Sequence, residues 1–376
     1  MSLSFWEYDQ WLAELDFAVI GSGITGLNAA LSLKERFPER NVTVLERGPF
    51  PGEASTRNAG FACFGSPTEL LSDLREDGED AMYELVALRW QGLKRLRSLV
   101  SDTALRYVSC GGYEWFGPED EAAYAACMEF LPGANARLSA LTGGQAFFRP
   151  ADSEIRALGL QQTHHLIALP TEGQLHPGAM MAALLDRART VGITVLNGLS
   201  VSQLEDQGDR VWLQGESWES TAKAVVVATN GFARQLLPQL ALRPARNQVL
   251  ITEPVPGLRL QGCFHHREGY IYARNVGNRV LLGGARYLDP EGETTDMLGF
   301  TEPIQQELQR LLREVLLPGQ PAPIARRWSG ILGVGDRKRP IIERLSPRVT
   351  VAVRMGGMGV ALGSQAGHEA AQLVLG

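Results

Sequence analysis

The 376-residue chain lacks the features that mark several functional classes. Its four cysteines, Cys63, Cys110, Cys127 and Cys263, are scattered. None forms a C-x-x-C pair and none lies at zinc spacing from a histidine, which argues against a disulfide framework or a zinc module. Buried free thiols and a reducing compartment are expected. The histidine pairs at 164–165 and 265–266 have no cysteine or carboxylate partners in register, so no metal is expected. Basic charge is also short: 36 Lys and Arg against 42 Asp and Glu give a formal net charge of -6. Nucleic-acid binding needs a concentrated basic face, and none is visible. The short run DRKR at 336–339 reads as a solvated turn. No apolar run is long enough to span a bilayer; the longest, FAVIGSGITGLNAALSL, is broken by Ser, Thr, Asn and Gly. The start, MSLSFWEYDQWLAEL, lacks the basic end and apolar core of a signal peptide. It reads as a short amphipathic helix with Phe5, Trp6 and Trp11 docked on the protein. A cytoplasmic protein without a membrane span is expected.

What is present begins at residue 16. DFAVI reads as a buried parallel strand. Gly21, Ser22, Gly23, Ile24, Thr25 and Gly26 follow in G-x-G-x-x-G spacing, then LNAALSLKERF with helical periodicity. NVTVLERG is the next strand, and Glu46 ends it twenty positions after Gly26, followed by Arg47. Gly21 permits the tight turn, Gly23 lets the backbone touch a pyrophosphate, and Gly26 lets helix and strand pack closely. The helix N-terminus offers N–H groups to the phosphates, and Glu46 can accept from ribose hydroxyls. The pattern fixes an adenine dinucleotide without choosing between NAD and FAD.

Two later segments favour FAD. KAVVVATNGF is a buried strand running into Thr229, Asn230 and Gly231, a turn that lets main chain approach a cofactor. RVTVAV then leads through Gly356, Gly357, Met358 and Gly359 into a helix whose start can face negative charge on a reduced flavin.

These segments, with GEASTRNAG, GYIYAR, RVLLGGARY, WSGILGVGDRKRPII and GGMGVALGSQAG, resemble the D-amino-acid oxidase family of flavoproteins along nearly the whole chain. The resemblance implies a Rossmann-like FAD-binding α/β domain interleaved with an α+β substrate domain built on an antiparallel sheet. The expected division assigns residues 1–65, 168–232 and 325–376 to the FAD domain, and 66–167 and 233–324 to the substrate domain. The resemblance also places Ser55, Thr56, Arg57, Asn58, Ala59 and Gly60 along the pyrophosphate and isoalloxazine, and Val201 in the segment that contacts adenine. Tyr270 falls where such enzymes carry a substrate tyrosine. Tyr272 and Arg274 share its strand parity, so Tyr270, Arg57 and Arg274 are the expected catalytic-site residues.

The implied reaction is oxidation of a C–N single bond in a small amine or amino acid, with hydride passing to the flavin and the imine hydrolysing. Alternatives on the same fold are a 2-hydroxy-acid dehydrogenase and a non-catalytic FAD-binding component of a complex. Leu332 and Gly357 stand where related amino-acid oxidases place carboxylate-binding arginines. The position near Leu281 lacks the oxygen-activating lysine of the sarcosine oxidase type, and no cysteine stands in WSGILGVGDRKRPII, so noncovalent FAD is expected. The stretch after Glu121 is expected to be helical until Pro132.

Overall fold

The structure, a computed structural model, describes residues 3–375. Two eight-stranded sheets organise it. In the first, Leu15–Ile20 lies at the centre, parallel to Val42–Glu46 on one side and to Glu219–Val227 on the other. Thr194–Asn197 and Val349–Val353 extend it in parallel, while Ile341–Arg344 joins antiparallel at the edge. The central strands are short β-branched runs buried on both faces, as a parallel sheet covered by helices requires. The helix Ile24–Arg36 crosses from the first strand to the second. Its end is tied down by Arg36, whose Nη1 donates to the carbonyls of Ala371 and Val374.

The second sheet runs Ile324–Val334, Arg243–Thr252, Arg279–Gly284, Ile271–Val276, Cys263–His266, Gly112–Phe116, His165–Leu169, Arg149–Pro150. It is antiparallel except between Cys263–His266 and Gly112–Phe116. A hairpin turning at Gly277, whose φ is +57°, joins Ile271–Val276 to Arg279–Gly284. One boundary needs correction. Residues 324–334 pair along their length with Arg243–Thr252, from Thr252↔Ile324 to Arg243↔Val334. They therefore belong to the second sheet, not to the first body as the division at residue 325 implied.

Two local expectations also change. The helix Glu121–Thr142 runs straight through Pro132. Pro132 and Gly133 face solvent, while Leu131, Ala134 and Leu138 on the other face are buried and hold the helix across the missing hydrogen bond. The N-terminal helix Phe5–Trp11 forms behind a Ser4–Glu7 capping box, but its aromatics do not dock: Phe5 is 68% exposed, Trp6 75% and Trp11 47%. Among the described residues, no helix is long and apolar enough to cross a membrane.

The C-terminal helix Gly359–Leu373 lies between Ile24–Arg36 and Glu79–Leu99. A Cβ at Gly92 would stand 1.9 Å from the Ala361 carbonyl oxygen, a distance that only movement of one backbone relieves. Gly92→Ala should therefore destabilise the protein, at the upper end of the ~1–3 kcal/mol typical of overpacking. Gly133 has nothing within 4 Å of its Cβ position, so Gly133→Ala should stabilise by about 0.5–1 kcal/mol. Thermal melts of the two variants check both signs; a Gly92→Ala protein that melts like the parent contradicts the helix contact.

Candidate functional site

The glycine turn opens a cleft at the C-terminal ends of the first sheet's strands. Gly21 has φ +101°, and a Cβ at Gly26 would meet the Gly21 carbonyl oxygen at 1.9 Å, so both glycines serve the turn itself. Gly23 lines the cleft and is the helix N-cap, but carries no side chain to cap with. Ser55 supplies the cap instead: its Oγ accepts from Ile24 N at 3.0 Å. Glu46 reaches the same cleft from the second strand. Its carboxylate accepts from Ser22 N (2.9 Å), Ser22 Oγ (2.7 Å) and Gly48 N (2.9 Å). Ser22 is thus a residue that positions Glu46, and is itself fully buried. Arg47 sits 3.8 Å over the Phe232 ring and pairs with Glu53. Thr25, Val201, Thr229, Asn230, Gly231 and Gly359 complete the expected lining. Thr56 does not line it; its hydroxyl donates to Pro51 O at 2.8 Å and shapes the loop.

A second cavity lies against the second sheet. The two share Ala54, Asn58, Leu332, Gly357 and Val360 in their walls, so they form one long void with a neck. Ala59, Gly60, Gly356 and Met358 line the second part. Asn58 is held rigid, donating to Ala54 O and Ser55 O and accepting from Gly60 N at 2.8 Å. The void suits a long dinucleotide with a flat ring. The acid stands at one end, small residues stand at the neck, and the buried Thr229 Oγ1 in the cleft has no protein partner. The residues present therefore fit FAD.

The outer wall of the second cavity carries polar groups. Tyr270 lies in the turn before Ile271–Val276, with its N bonded to Arg267 O at 2.9 Å. Tyr272 lines the cavity and meets Asn247 Nδ2 at 3.2 Å through its hydroxyl. Burial pushes its phenol well above the ordinary value. The Asn247 Oδ1 is buried without a partner. Opposite these stands a charged cluster. Arg89 donates to Glu69 at 2.9 Å, and Lys338 Nζ lies 2.5 Å from Asp73. Burial works against the charge of Glu69, but Arg89 and Lys338 outweigh it and hold its carboxyl below the usual range. Lys338 comes from the DRKR run, which is therefore more than a solvated turn.

Of the three expected catalytic-site residues, Tyr270 and Arg57 line the cavity and Arg274 does not. The Arg57 guanidinium lines the cavity but is committed to the backbone, with Nε to Gly52 O at 2.6 Å and Nη1 to Ser329 O at 2.9 Å. Arg274 is buried behind Gly60, donating to Gln174 Oε1 at 2.9 Å and Leu175 O at 3.2 Å. It does not line the cavity. Burial draws its pKa down. The arginine that does face the cavity uncommitted is Arg286, missed in the sequence. Its guanidinium lies 4.9 Å over the Tyr270 ring and has no acidic partner or hydrogen bond among the described residues. The signal was the RVLLGGARY segment itself, which returns the hairpin to the level of Tyr270; Gly284 opposes Ile271 in the ladder.

A parallel sheet with a glycine-turn cleft, closed by an antiparallel sheet over a shared void, defines a dinucleotide-dependent oxidoreductase architecture. The chain belongs to the DAO family of FAD-dependent oxidoreductases, whose profile matches residues 16–373. It is 26% identical over 387 residues to the probable oxidoreductase OrdL of Rhizobium meliloti (strain 1021), covering 96% of this chain and 83% of that one. It is 27% identical over 340 residues to the bifunctional protein ThiO/ThiG of Trichormus variabilis, covering 87% of this chain but only 47% of that longer protein. Among solved structures, the iminodiacetate oxidase of Chelativorans sp. BNC1 superposes with a TM-score of 0.75 at 22% identity, over 95% of this chain and 94% of that one. The glycine oxidase of Bacillus cereus gives 0.75 at 16% identity, over 96% of each chain. At these identities the structural likeness speaks for the fold.

If Glu46 accepts from the adenosine ribose, a charge-assisted bond worth about 1.5–3 kcal/mol is at stake. Glu46→Ala should then weaken FAD binding about tenfold or more, and flavin titration of the apoprotein reads it directly. An unchanged dissociation constant contradicts that role.

Proposed function

We propose that this protein oxidises the C–N bond of a small amine bearing a carboxylate, an amino acid or N-substituted amino acid, using noncovalently held FAD. The observation that carries the reading is Arg286, a cation in the cavity wall that no acid among the described residues neutralises. A bidentate guanidinium is suited to a carboxylate, and a buried carboxylate without such a partner costs several kcal/mol. Tyr270 lies beneath it to bound the same subsite. The same cavity is also lined by Glu69, His265 and Asn247, which offer acceptors to an ammonium group. That asymmetry favours an amino acid over a 2-hydroxy acid, which brings no cation. Leu332 and Gly357 keep the neck uncharged.

Bound FAD supplies the two-electron acceptor for hydride from the carbon beside nitrogen. The chain's own work is to hold the carboxylate at Arg286, receive the nitrogen on the acidic side and exclude water behind Tyr272. Noncovalent binding is supported by Cys63. It is the cysteine in the cavity wall, and burial, with Glu172 and Glu69 nearby, pushes its thiol up, so little nucleophilic thiolate exists. Acid precipitation should release FAD into the supernatant.

An anaerobic substrate panel tests the reaction through flavin bleaching. Glycine should reduce the flavin poorly, and larger N-substituted amino acids should do better. Arg286→Ala should raise the KM of a carboxylated substrate about tenfold or more, since losing a charge-assisted contact worth about 1.5–3 kcal/mol weakens binding by at least that factor. Arg274→Ala should lower thermal stability instead, without a comparable change in KM. Rapid bleaching by micromolar glycine, or an unchanged KM in Arg286→Ala, would overturn this assignment.

A further inference from the structure

His265 stands in the wall of the second cavity, yet nothing in the cofactor or carboxylate assignments uses it. It is 5% exposed. Its Nε2 meets Glu172 Oε2 at 2.8 Å, and Glu172 is itself fully buried. With a carboxylate accepting at Nε2, that nitrogen carries the ring proton and Nδ1 keeps its lone pair. Nδ1 has no hydrogen-bond partner among the described residues. The other Glu172 oxygen, Oε1, is buried and unpartnered, so its charge is answered chiefly by this imidazole. An imidazole oriented by a buried carboxylate, with its second nitrogen unpaired in a substrate cavity, is the arrangement of a general base.

We propose that His265 takes the proton from the substrate ammonium, and that Glu172 positions it and stabilises the imidazolium that results. The proposal rests on the amine reading above. In the step, one N–H bond of the ammonium breaks and its electron pair stays on nitrogen as the lone pair of a neutral amine. The Nδ1 lone pair forms the new N–H bond. The positive charge moves from substrate to imidazole beside the Glu172 carboxylate, and no outside reactant is needed.

The surroundings set the pH range. Facing His265 are Glu172, its ladder neighbours Glu114 and Tyr272, the thiol of Cys63, and Glu69 with its cations Arg89 and Lys338. Burial opposes a charged His265, but Glu172, then Glu114 and Glu69, outweigh it and raise the pKa above 6.5. Burial also lifts Glu114 to about 7, against hydrogen bonds from Thr68 and Ser66. Glu114 therefore titrates in the same window and must be controlled for.

The test is single-turnover flavin bleaching of the holoenzyme against pH, with the panel amino acid that bleaches the wild type fastest. His265→Asn should lower the rate about 30-fold or more at pH ~7. It should recover to within about threefold of wild type at a pH above the substrate's own ammonium pKa, where no base is required. Glu172→Gln should shift the pH limb downward by about one unit or more, and Glu114→Gln, a smaller contributor to the same pKa, should shift it downward by less. A readout independent of turnover is the ring titration of His265 by NMR, its signal identified by absence in His265→Asn. That pKa should lie above 6.5 and fall in Glu172→Gln. Flavin content and melting temperature of each variant separate lost chemistry from lost fold. A His265→Asn profile parallel to wild type, or a His265 pKa below 6.5, overturns the proposal while leaving the amine reading intact. A wild-type flavin that no amine or amino acid bleaches overturns the amine reading and the proposal with it.

Discussion

Backbone contact between helices is the constraint on which the rest of the site depends. The C-terminal helix touches Glu79–Leu99 at Gly92 and Ile24–Arg36 at Gly367, where a Cβ would meet the Thr25 carbonyl oxygen at 2.4 Å. Ser364 adds a hydrogen bond to the Gly92 carbonyl. At such spacing, each helix fixes the height of the next along its axis, because interiors are close-packed and do not slide continuously. Two turns far apart in sequence, Gly21–Gly26 and Gly356–Gly359, are thereby held on the same void. The cleft exists because the helices that begin at its edges cannot separate or approach further.

The second sheet is tied to this frame through the loop at 53–60. Trp328 Nε1 donates to Arg57 O at 2.8 Å, and the Arg57 side chain returns to Ser329 O. The same loop caps the first crossover helix through Ser55. One short segment thus connects the helix start, the neck of the void and the strand Ile324–Val334. The arginine in this stretch is a strut between the loop and the second sheet.

The FAD half of the fold was legible because its signals are local. Strand, glycine turn, helix and terminal acid occupy consecutive positions from 16 to 46, and each has a conformational reason to be there. The substrate side was legible only as a hairpin bearing tyrosines. Arg274 shares strand parity with Tyr272, yet its side chain is covered by Gln174 and Leu175, and parity alone does not say which layer a face meets. Arg286, His265, Glu172, Glu69 and Lys338 come from separate segments with no mutual spacing, so only the register of the sheet and the buried ion pairs bring them together. Pro132 misled for a simpler reason: a proline on a solvent face costs a helix little when the opposite face is already buried in a core.

The pattern of paired and unpaired charge around the cavity carries the functional reading furthest. Buried charges are tolerated when partnered, and removing one partner is costly. Here Arg89 and Lys338 stand against Glu69 and Asp73, and His265 stands against Glu172. Among the described residues, Arg286 in the same wall has no acidic partner. A neutral ligand would leave it so, and a simple carboxylate would answer it but ignore the acceptors opposite. A zwitterion completes both sides: its carboxylate neutralises Arg286, and its ammonium faces Glu69 and the free nitrogen of His265. Once that ammonium yields its proton, the positive charge rests beside Glu172, and the nitrogen lone pair is available to support loss of hydride from the neighbouring carbon. In this reading, the same charge arrangement that selects the substrate also brings it to the protonation state in which it can react.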